Sequence, residues 1–324
     1  MTNAIRIHET GGPEVLRYEA VEIGQPGPGE VRLRQTAIGL NFIDVYHRNG
    51  LYPVPLPSGI GLEAAGIVEA VGEGVTLLKP GSRVAYCGGP IGAYAEARNF
   101  PAERLVPLPD DIPESDAAAM MLQGLTAQYL LRRTCRVEAG DTILVHAAAG
   151  GVGLILCQWA RHLGATVIGT VSTEAKAKLA SANGCTHPIL YTKEDFVERV
   201  QSLTGGAKVR VVYDSVGADT FLKSLDCLRP MGLMVTFGQS SGPVAPLDTG
   251  LLAAKGSLFL TRPSLFAYTA KREDLLAGAA ELFQVVRSGA VRIAVNQTYR
   301  LEDAALAHRD LEGRKTTGST IFTV

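Results

Sequence analysis

Short apolar stretches alternate with Gly/Pro-rich turns over roughly the first 124 residues. Val31–Arg34 and Gly66–Val71 are two such stretches, and turns such as Pro26–Gly29 and Pro53–Gly61 separate them from their neighbours. Short apolar runs bounded by turn residues are typical of β-strands. This part of the chain is therefore predicted to be a β-barrel or a β-sandwich.

Strand patterns alternate with helical patterns from about residue 124 to residue 261. In Gly151–Leu163 the apolar residues recur at a 3.6-residue period, which indicates a helix. A regular β-α-β order predicts a parallel sheet with helices on both faces. The predicted strands are Thr142–Ala147, Thr166–Val171, Pro188–Leu190, Val209–Asp214, Met234–Phe237 and Leu258–Thr261, and the predicted helices between the first five are Gly151–Leu163, Thr173–Ala182, Glu194–Leu203 and Asp219–Leu228.

The last part of the chain mixes both patterns. Arg272–Ser288 has the apolar spacing of an amphipathic helix. A strand at Gln297–Leu301, a helix at Glu302–Leu311 and a strand at Ser319–Val324 are predicted to follow it.

Length, charge and cysteine content limit the classes of protein to consider. A chain of 324 residues exceeds what one hydrophobic core usually serves, so two domains are expected. A formal charge of −1 argues against a nucleic-acid-binding protein. No apolar run reaches the ~20 residues that span a bilayer, and Met1–Gly12 lacks the apolar core of a signal peptide. The five cysteines are odd in number and far apart, which favours reduced thiols and a cytoplasmic protein. Without a spanning segment, no membrane partner is expected.

A run of small residues, His146–Gly153, follows one predicted strand and opens the next helix. In a dinucleotide-binding fold, small residues here allow a tight turn and let the backbone approach a pyrophosphate. The helix N-terminus then offers N–H groups to the phosphates. The match to G-x-G-x-x-G is imperfect, because Ala148 stands at the first glycine while Gly150 and Gly153 fit. A Gly-rich connector that serves packing alone is the alternative.

The end of the second predicted strand bears on the choice of coenzyme. NAD-preferring folds usually place an acidic residue there to bind the ribose 2′-hydroxyl. Here Ser172 stands at that end, and Lys176 lies one helical turn further on. Hydroxyl donors and a cation suit a 2′-phosphate, so NADPH is predicted. The acidic Glu174 nearby, and the reading of Lys176 as a solvated surface lysine, favour NAD instead.

No metal site is predicted from the cysteines and histidines. Zinc sites usually contain local pairs such as C-x₂₋₄-C, and no two cysteines lie within ten residues of each other. Cys185 and His187 form the one close Cys/His pair, at a predicted helix-to-strand turn. The six histidines are scattered, and most are expected to be surface or packed residues.

These stretches together resemble the zinc-free, ζ-crystallin-like NADPH:quinone oxidoreductases of the medium-chain dehydrogenase/reductase superfamily. The resemblance covers essentially the whole chain. It rests on Gly11–Leu16, Gly39–Asp44, Ser58–Gly66, His146–Gly153, Val212–Gly217, Phe237–Ser241 and Thr261–Leu265.

The resemblance implies an α/β fold in which a GroES-like, partly closed β-barrel accompanies a doubly wound Rossmann domain, with the active site in the cleft between them. The expected limits are 1–123 for the first part of the catalytic domain, 124–265 for the Rossmann domain and 266–324 for a return to the catalytic domain. Zinc-dependent relatives carry a ligand Cys where this chain has Asn41 and a ligand His where it has Leu62. They also carry a lobe of four cysteines, of which only Cys87 falls in the corresponding region. A homodimer through the sheet edge at Gly256–Thr261 is implied as well; a monomer with a covered edge is the alternative.

The family's cofactor contacts can be carried over to this chain position by position. The resemblance assigns the nicotinamide side to Phe42, Asp44, Tyr46 and Tyr129, the pyrophosphate to Gly150, Gly151, Val152 and Gly153, the 2′-phosphate to Ser172, Lys176 and Tyr191, and the rest to Ser215, Gly238, Gln239, Ser240, Ser241, Pro263, Ser264, Leu265, Phe266 and Arg314.

The chemistry expected is hydride transfer from NADPH to a quinone without a metal ion. Such a transfer needs an oriented acceptor and donors aimed at the developing oxyanion. Asn41, Tyr46, Tyr52 and Thr126 are the candidates around the acceptor, and packing or turn capping is the alternative role of each. The alternative functions are reduction of α,β-unsaturated carbonyls by NADPH and a non-catalytic, crystallin-like or RNA-binding NADPH protein. A zinc alcohol dehydrogenase is a more distant alternative.

Overall fold

The computed structural model describes all 324 residues, and its contacts divide the chain into two compact units. The first unit comprises Met1–Leu125, Thr269–Ala279 and Ile293–Val324. The second unit comprises Thr126–Tyr268 and Ala280–Arg292. The domain limits predicted from the sequence, 1–123, 124–265 and 266–324, stay a prediction.

Sixteen strands and eleven α-helices make up the two units. In chain order the strands are β1 (Thr2–Ile7), β2 (Arg17–Val21), β3 (Glu30–Leu40), β4 (Ser58–Gly59), β5 (Glu63–Val71), β6 (Arg83–Cys87), β7 (Ala97–Pro101), β8 (Val106–Pro107), β9 (Thr142–Val145), β10 (Thr166–Val171), β11 (His187–Leu190), β12 (Val209–Asp214), β13 (Leu228–Thr236), β14 (Phe259–Thr261), β15 (Val295–Arg300) and β16 (Ser319–Thr323). The helices are α1 (Phe42–Arg48), α2 (Glu114–Ala118), α3 (Met121–Tyr129), α4 (Gly151–His162), α5 (Glu174–Ala182), α6 (Phe196–Leu203), α7 (Phe221–Asp226), α8 (Gly250–Ala254), α9 (Leu265–Tyr268), α10 (Arg272–Arg287) and α11 (Ala304–Glu312).

The first unit is built on β-sheets. Strands β2, β1 and β4 form a small antiparallel sheet, while β15, β16, β3, β5, β6 and β8 follow one another in a larger sheet, with β7 also paired to β3. The terminal strand β16 pairs antiparallel with β3, so Phe322 lies opposite Ile38. Alternate residues of these strands face a core that includes Ile5, Leu33, Val68, Tyr86, Phe100 and Phe322. The β-sheet architecture predicted for this part of the chain is confirmed, although the short helix α1 lies between β3 and β4.

The second unit holds a six-stranded parallel sheet in the order β11-β10-β9-β12-β13-β14. Numbered from β9, this order is 3-2-1-4-5-6, which defines the Rossmann dinucleotide-binding fold. The strand order reverses between β9 and β12, and ligands of such folds bind at the carboxyl ends beside that point. The predicted doubly wound sheet is confirmed.

One predicted boundary in this sheet was wrong. The sequence places a helix over Asp219–Leu228 and a strand over Met234–Phe237, but α7 ends at Asp226 and β13 already begins at Leu228. Leu228 is buried and pairs with Val209 before a register shift in the strand, and this early pairing cuts the helix short. The helical period continues across the boundary, so apolar spacing alone could not reveal it.

Candidate active site

The loop after β9 turns sharply into helix α4. Ala147 has a φ of 53°, in the left-handed region, and Gly150 caps α4 with extended backbone angles and no side-chain hydrogen bond. A Cβ built at Gly153 would lie 2.8 Å from Ala148 C and would overlap the carbonyl oxygen of Ala147. Only glycine therefore lets α4 begin this close to the end of β9.

The amino end of α4 has the properties of a binding site for an anion. The first N–H groups of a helix have no partner within the helix, and here no side chain caps them. A Cβ at Gly150 would meet one atom within 4 Å, the oxygen of Ala147 at 3.3 Å, so that side of the turn is open. Backbone donors and the positive end of the helix dipole meet here, and a diphosphate fits both.

Two further loops at the same edge of the sheet are packed by glycines. Asp214, fully buried at the end of β12, accepts hydrogen bonds from the N–H groups of Val216 (2.7 Å) and Gly217 (3.2 Å) and shapes the turn at Ser215. A Cβ at Gly238 would lie 2.7 Å from Ser215 O, so the turns after β12 and β13 touch through their backbones.

An arginine orders the second of these turns. Arg262 donates to Gly238 O at 3.3 Å and to Gln239 Oε1 at 3.1 Å. It also donates to Thr236 O at 3.2 Å, at the end of β13. Arg262 belongs to the motif Thr261–Leu265, but nothing in that motif predicted this role.

His146 is a packed histidine, in agreement with the expectation for most of the six. It is 1% exposed, with Nδ1 at 2.9 Å from Thr170 Oγ1 and Nε2 at 2.8 Å from Ser224 Oγ. Ser224 donates its own proton to Thr220 O, so Nε2 carries the ring proton. Burial lowers the pKa of His146, which keeps the ring neutral.

The carboxyl end of β10 places Ser172 and Lys176 where the sequence analysis expects a 2′-phosphate. Thr173 caps α5 by accepting a hydrogen bond from the N–H of Lys176 at 3.2 Å. Thr192, which follows the exposed Tyr191, donates through Oγ1 to Ser172 O at 3.2 Å. Ser172, Lys176 and Tyr191 thus lie on two turns that are hydrogen-bonded to each other.

Tyr129 ends α3 and stacks on a residue that the sequence analysis did not single out. Its ring lies parallel to that of Tyr268, with 4.5 Å between centroids and 12° between planes. Arg133 lies over the other ring at 5.1 Å from the Tyr268 centroid, and Thr134 donates to the Tyr268 hydroxyl at 2.9 Å. Arg133 and Thr134 belong to a π-helical turn, Leu130–Thr134, that follows α3. Thr126 lies on α3 and is buried.

In the first unit, Asn41 lies in a buried polar cluster. Its Nδ2 donates to Glu63 Oε2 at 2.6 Å, and its Oδ1 accepts from Gln123 Nε2 at 3.2 Å. Glu63 Oε1 also accepts from the N–H of Leu122 at 2.7 Å, at the start of α3. Ser319 on β16 donates to Gln123 Oε1 at 2.6 Å. Glu63, Gln123 and Ser319 were absent from the sequence-based candidates, because their spacing in sequence carries no signal.

Asp44 is the second carboxyl of this region. Its Oδ2 accepts from the Asn41 N–H (2.9 Å) and the Tyr94 hydroxyl (2.8 Å), while Oδ1 is buried without a hydrogen bond. A chain of contacts continues from Tyr94 to His308 Nε2 (3.2 Å) and from His308 Nδ1 to Arg48 (3.1 Å). Burial raises the pKa of Asp44 to about 7. The Asp44 carboxyl therefore binds the backbone at the start of α1, and its pKa lies close to neutral pH.

Three aromatic residues of the candidate list pack against one another. The Tyr46 ring lies 5.5 Å from that of Phe42 and 5.2 Å from that of Tyr52. Tyr46 is buried, and Tyr52 is held by a backbone hydrogen bond of its N–H to Tyr46 O at 2.9 Å.

The remaining candidates lie outside these clusters. Pro263 and Ser264 follow β14, Leu265 and Phe266 open α9, and Arg314 follows α11 with a φ of 57°.

No three side chains of His, Cys, Asp or Glu come together in a group that could hold a metal ion. Asn41 and Leu62 occupy the two positions where the resemblance places zinc ligands. All five cysteines are buried free thiols. The predicted absence of a metal remains a prediction for the purified protein.

Two family models match the chain. Residues 27–110 match the alcohol dehydrogenase GroES-like domain, and residues 151–276 match the domain described as zinc-binding dehydrogenase. These are the two domains of the medium-chain dehydrogenases/reductases, and the chain belongs to this superfamily.

Comparison with full-length relatives shows which family within this superfamily the chain belongs to. The quinone oxidoreductase of Pseudomonas aeruginosa is 54% identical over 323 residues, 99% of each chain. The 2-haloacrylate reductase of a Burkholderia species is 50% identical over 330 residues, again 99% of each. The crystal structure of Escherichia coli quinone oxidoreductase complexed with NADPH has a TM-score of 0.98 at 50% identity and covers 99% of this chain and 100% of that one. The chain belongs to the quinone oxidoreductase family, and the resemblance inferred from its motifs is confirmed.

None of the helices combines the length and the apolar character needed to cross a membrane.

We expect Glu63→Gln to change how stability depends on pH. Burial raises the pKa of Glu63 from 4.5 to about 8, so the folded protein holds this proton more tightly than the unfolded chain does. The resulting stabilisation is complete below about pH 4.5 and is lost as the pH rises towards 8. The free energy of unfolding from urea titrations should therefore fall more steeply for the wild type than for the variant over this range.

Glu69→Gln is the matched control, because Glu69 lies on the same strand, β5, with an exposed side chain. It should keep the pH dependence of the wild type. If the stability of Glu63→Gln depended on pH in the same way as that of the wild type, the raised pKa of Glu63 would be wrong.

Proposed function

We propose that this chain is an NADPH-dependent quinone oxidoreductase that transfers hydride to a quinone without a metal ion. The single observation that carries the proposal is the uncapped, glycine-packed amino end of α4 at the switch point of a Rossmann sheet. Full-length relatives with the name quinone oxidoreductase, one of them solved with NADPH, support it.

The chain's own residues fit NADPH at this edge. The backbone of Gly150–Gly153 would hold the pyrophosphate, since no side chain caps these N–H groups and the turn is open at Gly150. Ser172, Lys176 and Tyr191 would hold the 2′-phosphate with hydroxyl groups and a cation. When bound, the coenzyme supplies the hydride, and the quinone takes up that hydride and one proton to give the hydroquinone.

The predicted contacts beyond the phosphates form part of the same proposal. Ser215 and Gly238–Ser241 lie on backbone turns that approach without bulky side chains, which suits a coenzyme lying along the sheet edge. We assign orientation of the acceptor to the hydroxyl groups of Tyr46, Tyr52 and Thr126. Asn41 is the fourth residue assigned to the acceptor, because its amide nitrogen has a second proton beyond the one donated to Glu63. The other assigned contacts are Phe42, Asp44, Tyr129, Pro263, Ser264, Leu265, Phe266 and Arg314.

Reduction of α,β-unsaturated carbonyl compounds is the second candidate function. It is favoured by the 2-haloacrylate reductase of a Burkholderia species, which is as similar over the full chain as several quinone oxidoreductases are. Both reactions deliver a hydride to a conjugated acceptor, so the same coenzyme geometry serves either. The charge of −1 argues against an RNA-binding role.

We expect the purified protein to oxidise NADPH with 1,4-benzoquinone and to do so more slowly with a 2-haloacrylate or a simple enone. The fall in NADPH absorbance with time measures both rates, and each assay starts from the same NADPH concentration. A chelator should leave the quinone rate unchanged. Faster turnover of the unsaturated acid would make the second candidate the function, and coenzyme binding without turnover of any acceptor would favour a non-catalytic NADPH protein.

Lys176→Ala should raise the KM for NADPH about tenfold, which corresponds to one charge-assisted hydrogen bond of ~1.4 kcal/mol. The KM for NADH should stay within about twofold, because NADH lacks the phosphate. Lys178→Ala, on the exposed side of the same helix, is the control and should change neither value. An equal loss with both coenzymes would refute the assignment of Lys176 to the 2′-phosphate.

We further propose that the chain forms a homodimer through the edge of the six-stranded sheet. Strand β14 is the last strand of the sheet on one side, so its outer backbone groups have no strand partner within the chain. Phe259 is 61% exposed and Leu260 38% exposed on this strand. An exposed apolar edge strand presents backbone groups that can pair with a strand of another chain. The buried, unpaired thiols support a reducing, cytoplasmic location.

Phe259→Asp should convert the dimer into a monomer, because it places a charge on the apolar edge. Light scattering coupled to size-exclusion chromatography measures the mass directly. Leu222→Asp introduces the same charge at another exposed apolar position of the second unit and should leave the dimer intact. A wild type that elutes as a monomer would rule out the proposed dimer.

A further inference from the structure

An ion pair joins the two turns at which we place the 2′-phosphate. Lys193 Nζ lies 2.9 Å from Glu174 Oε1, and about two-thirds of each side chain is exposed, 65% and 63% respectively. Glu174 is the first residue of α5, two positions beyond Ser172. An acidic group at this edge favours a ribose hydroxyl and disfavours a phosphate.

The backbone holds Lys193 beside Ser172. The N–H of Tyr191 donates to Val171 O at 3.2 Å, and Thr192 Oγ1 donates to Ser172 O at 3.2 Å. The N–H of Lys193 donates to Leu190 O at 2.9 Å, which closes the turn after β11. The lysine therefore reaches Glu174 from a fixed turn.

The other acidic residues of this turn have cations of their own. Glu194 pairs with Arg199 at 2.9 Å, and Asp195 pairs with Lys223 at 2.9 Å. Removing Lys193 would thus leave Glu174 without its ion-pair partner, while the other two pairs remain.

We infer that Lys193 is a specificity-determining residue for NADPH that acts through Glu174. Its ammonium group neutralises the carboxylate, so that the 2′-phosphate meets the hydroxyl of Ser172 and the cation of Lys176 without repulsion. Without Lys193, Glu174 repels the phosphate and becomes available to a ribose 2′-hydroxyl, which moves the preference from NADPH towards NADH. The inference rests on the proposed coenzyme site and identifies the residue that sets its preference for NADPH over NADH.

The test is a set of fluorescence titrations that give Kd for NADPH and for NADH at low ionic strength. Lys193→Met should weaken NADPH binding about fivefold, the size expected when the Glu174 carboxylate, no longer paired, acts on a nearby phosphate. NADH binding should be unchanged or tighter. The difference should shrink at high salt, because surface charges are screened.

Glu174→Gln separates the proposed mechanism from a direct contact of Lys193 with the phosphate. In the Glu174→Gln background, Lys193→Met should change Kd for NADPH by less than about twofold, because the exposed Lys193 side chain is then no longer held at this site and its charge is screened by solvent. Lys223→Met is the matched control, since it breaks an ion pair of the same length at Asp195, and it should leave the ratio of the two Kd values unchanged. Lys193 and Lys223 are both exposed, so replacing either one should not unfold the protein.

Three outcomes would overturn the inference. An unchanged NADPH-to-NADH ratio in Lys193→Met would show that the pair has no role in selectivity. A fivefold loss that persists in the double variant would show that Lys193 contacts the phosphate directly. A wild type that binds neither coenzyme would overturn both this inference and the proposed function, whereas wild-type binding of NADPH with an unaffected Lys193→Met variant overturns this inference alone.

Discussion

The close crossing of α4 over the end of β9 is the constraint on which the nucleotide site depends. Gly153 has no room for a side chain against Ala147 and Ala148, and Ala147 accepts a left-handed conformation to make the turn. Gly238 likewise has no room for a side chain, because its backbone touches that of Ser215. At both places glycine lets two backbone segments touch, and that close packing sets the position of the backbone N–H groups at the start of α4.

Local patterns in the sequence were sufficient for the second unit. A period of 3.6 residues marked α4, alternating strand and helix patterns marked the parallel sheet, and the small residues of His146–Gly153 marked the loop between them. Each of these signals is contained in a short stretch of chain, so one sequence suffices to read it. The start of β13 at Leu228 was not predicted, because it depends on pairing with Val209 in another strand, β12.

The polar cluster of the first unit could not be found in this way. Asn41, Glu63, Gln123 and Ser319 come from a strand end, another strand, a helix and the last strand of the chain, and no spacing rule connects them. Their burial is also contrary to the expectation for polar residues. Asn41 was singled out for its position in a motif, and the partners that occupy its amide became visible only in the fold.

The burial of all five cysteines has a consequence for an enzyme that handles quinones. Quinones are electrophiles that arylate accessible thiolates, and a reactive thiol must be both exposed and deprotonated. Burial raises the pKa of Cys87 and Cys227, and Cys157 and Cys185 lie in the interior of the Rossmann unit. Burial therefore keeps all five thiols out of reach of such an electrophile.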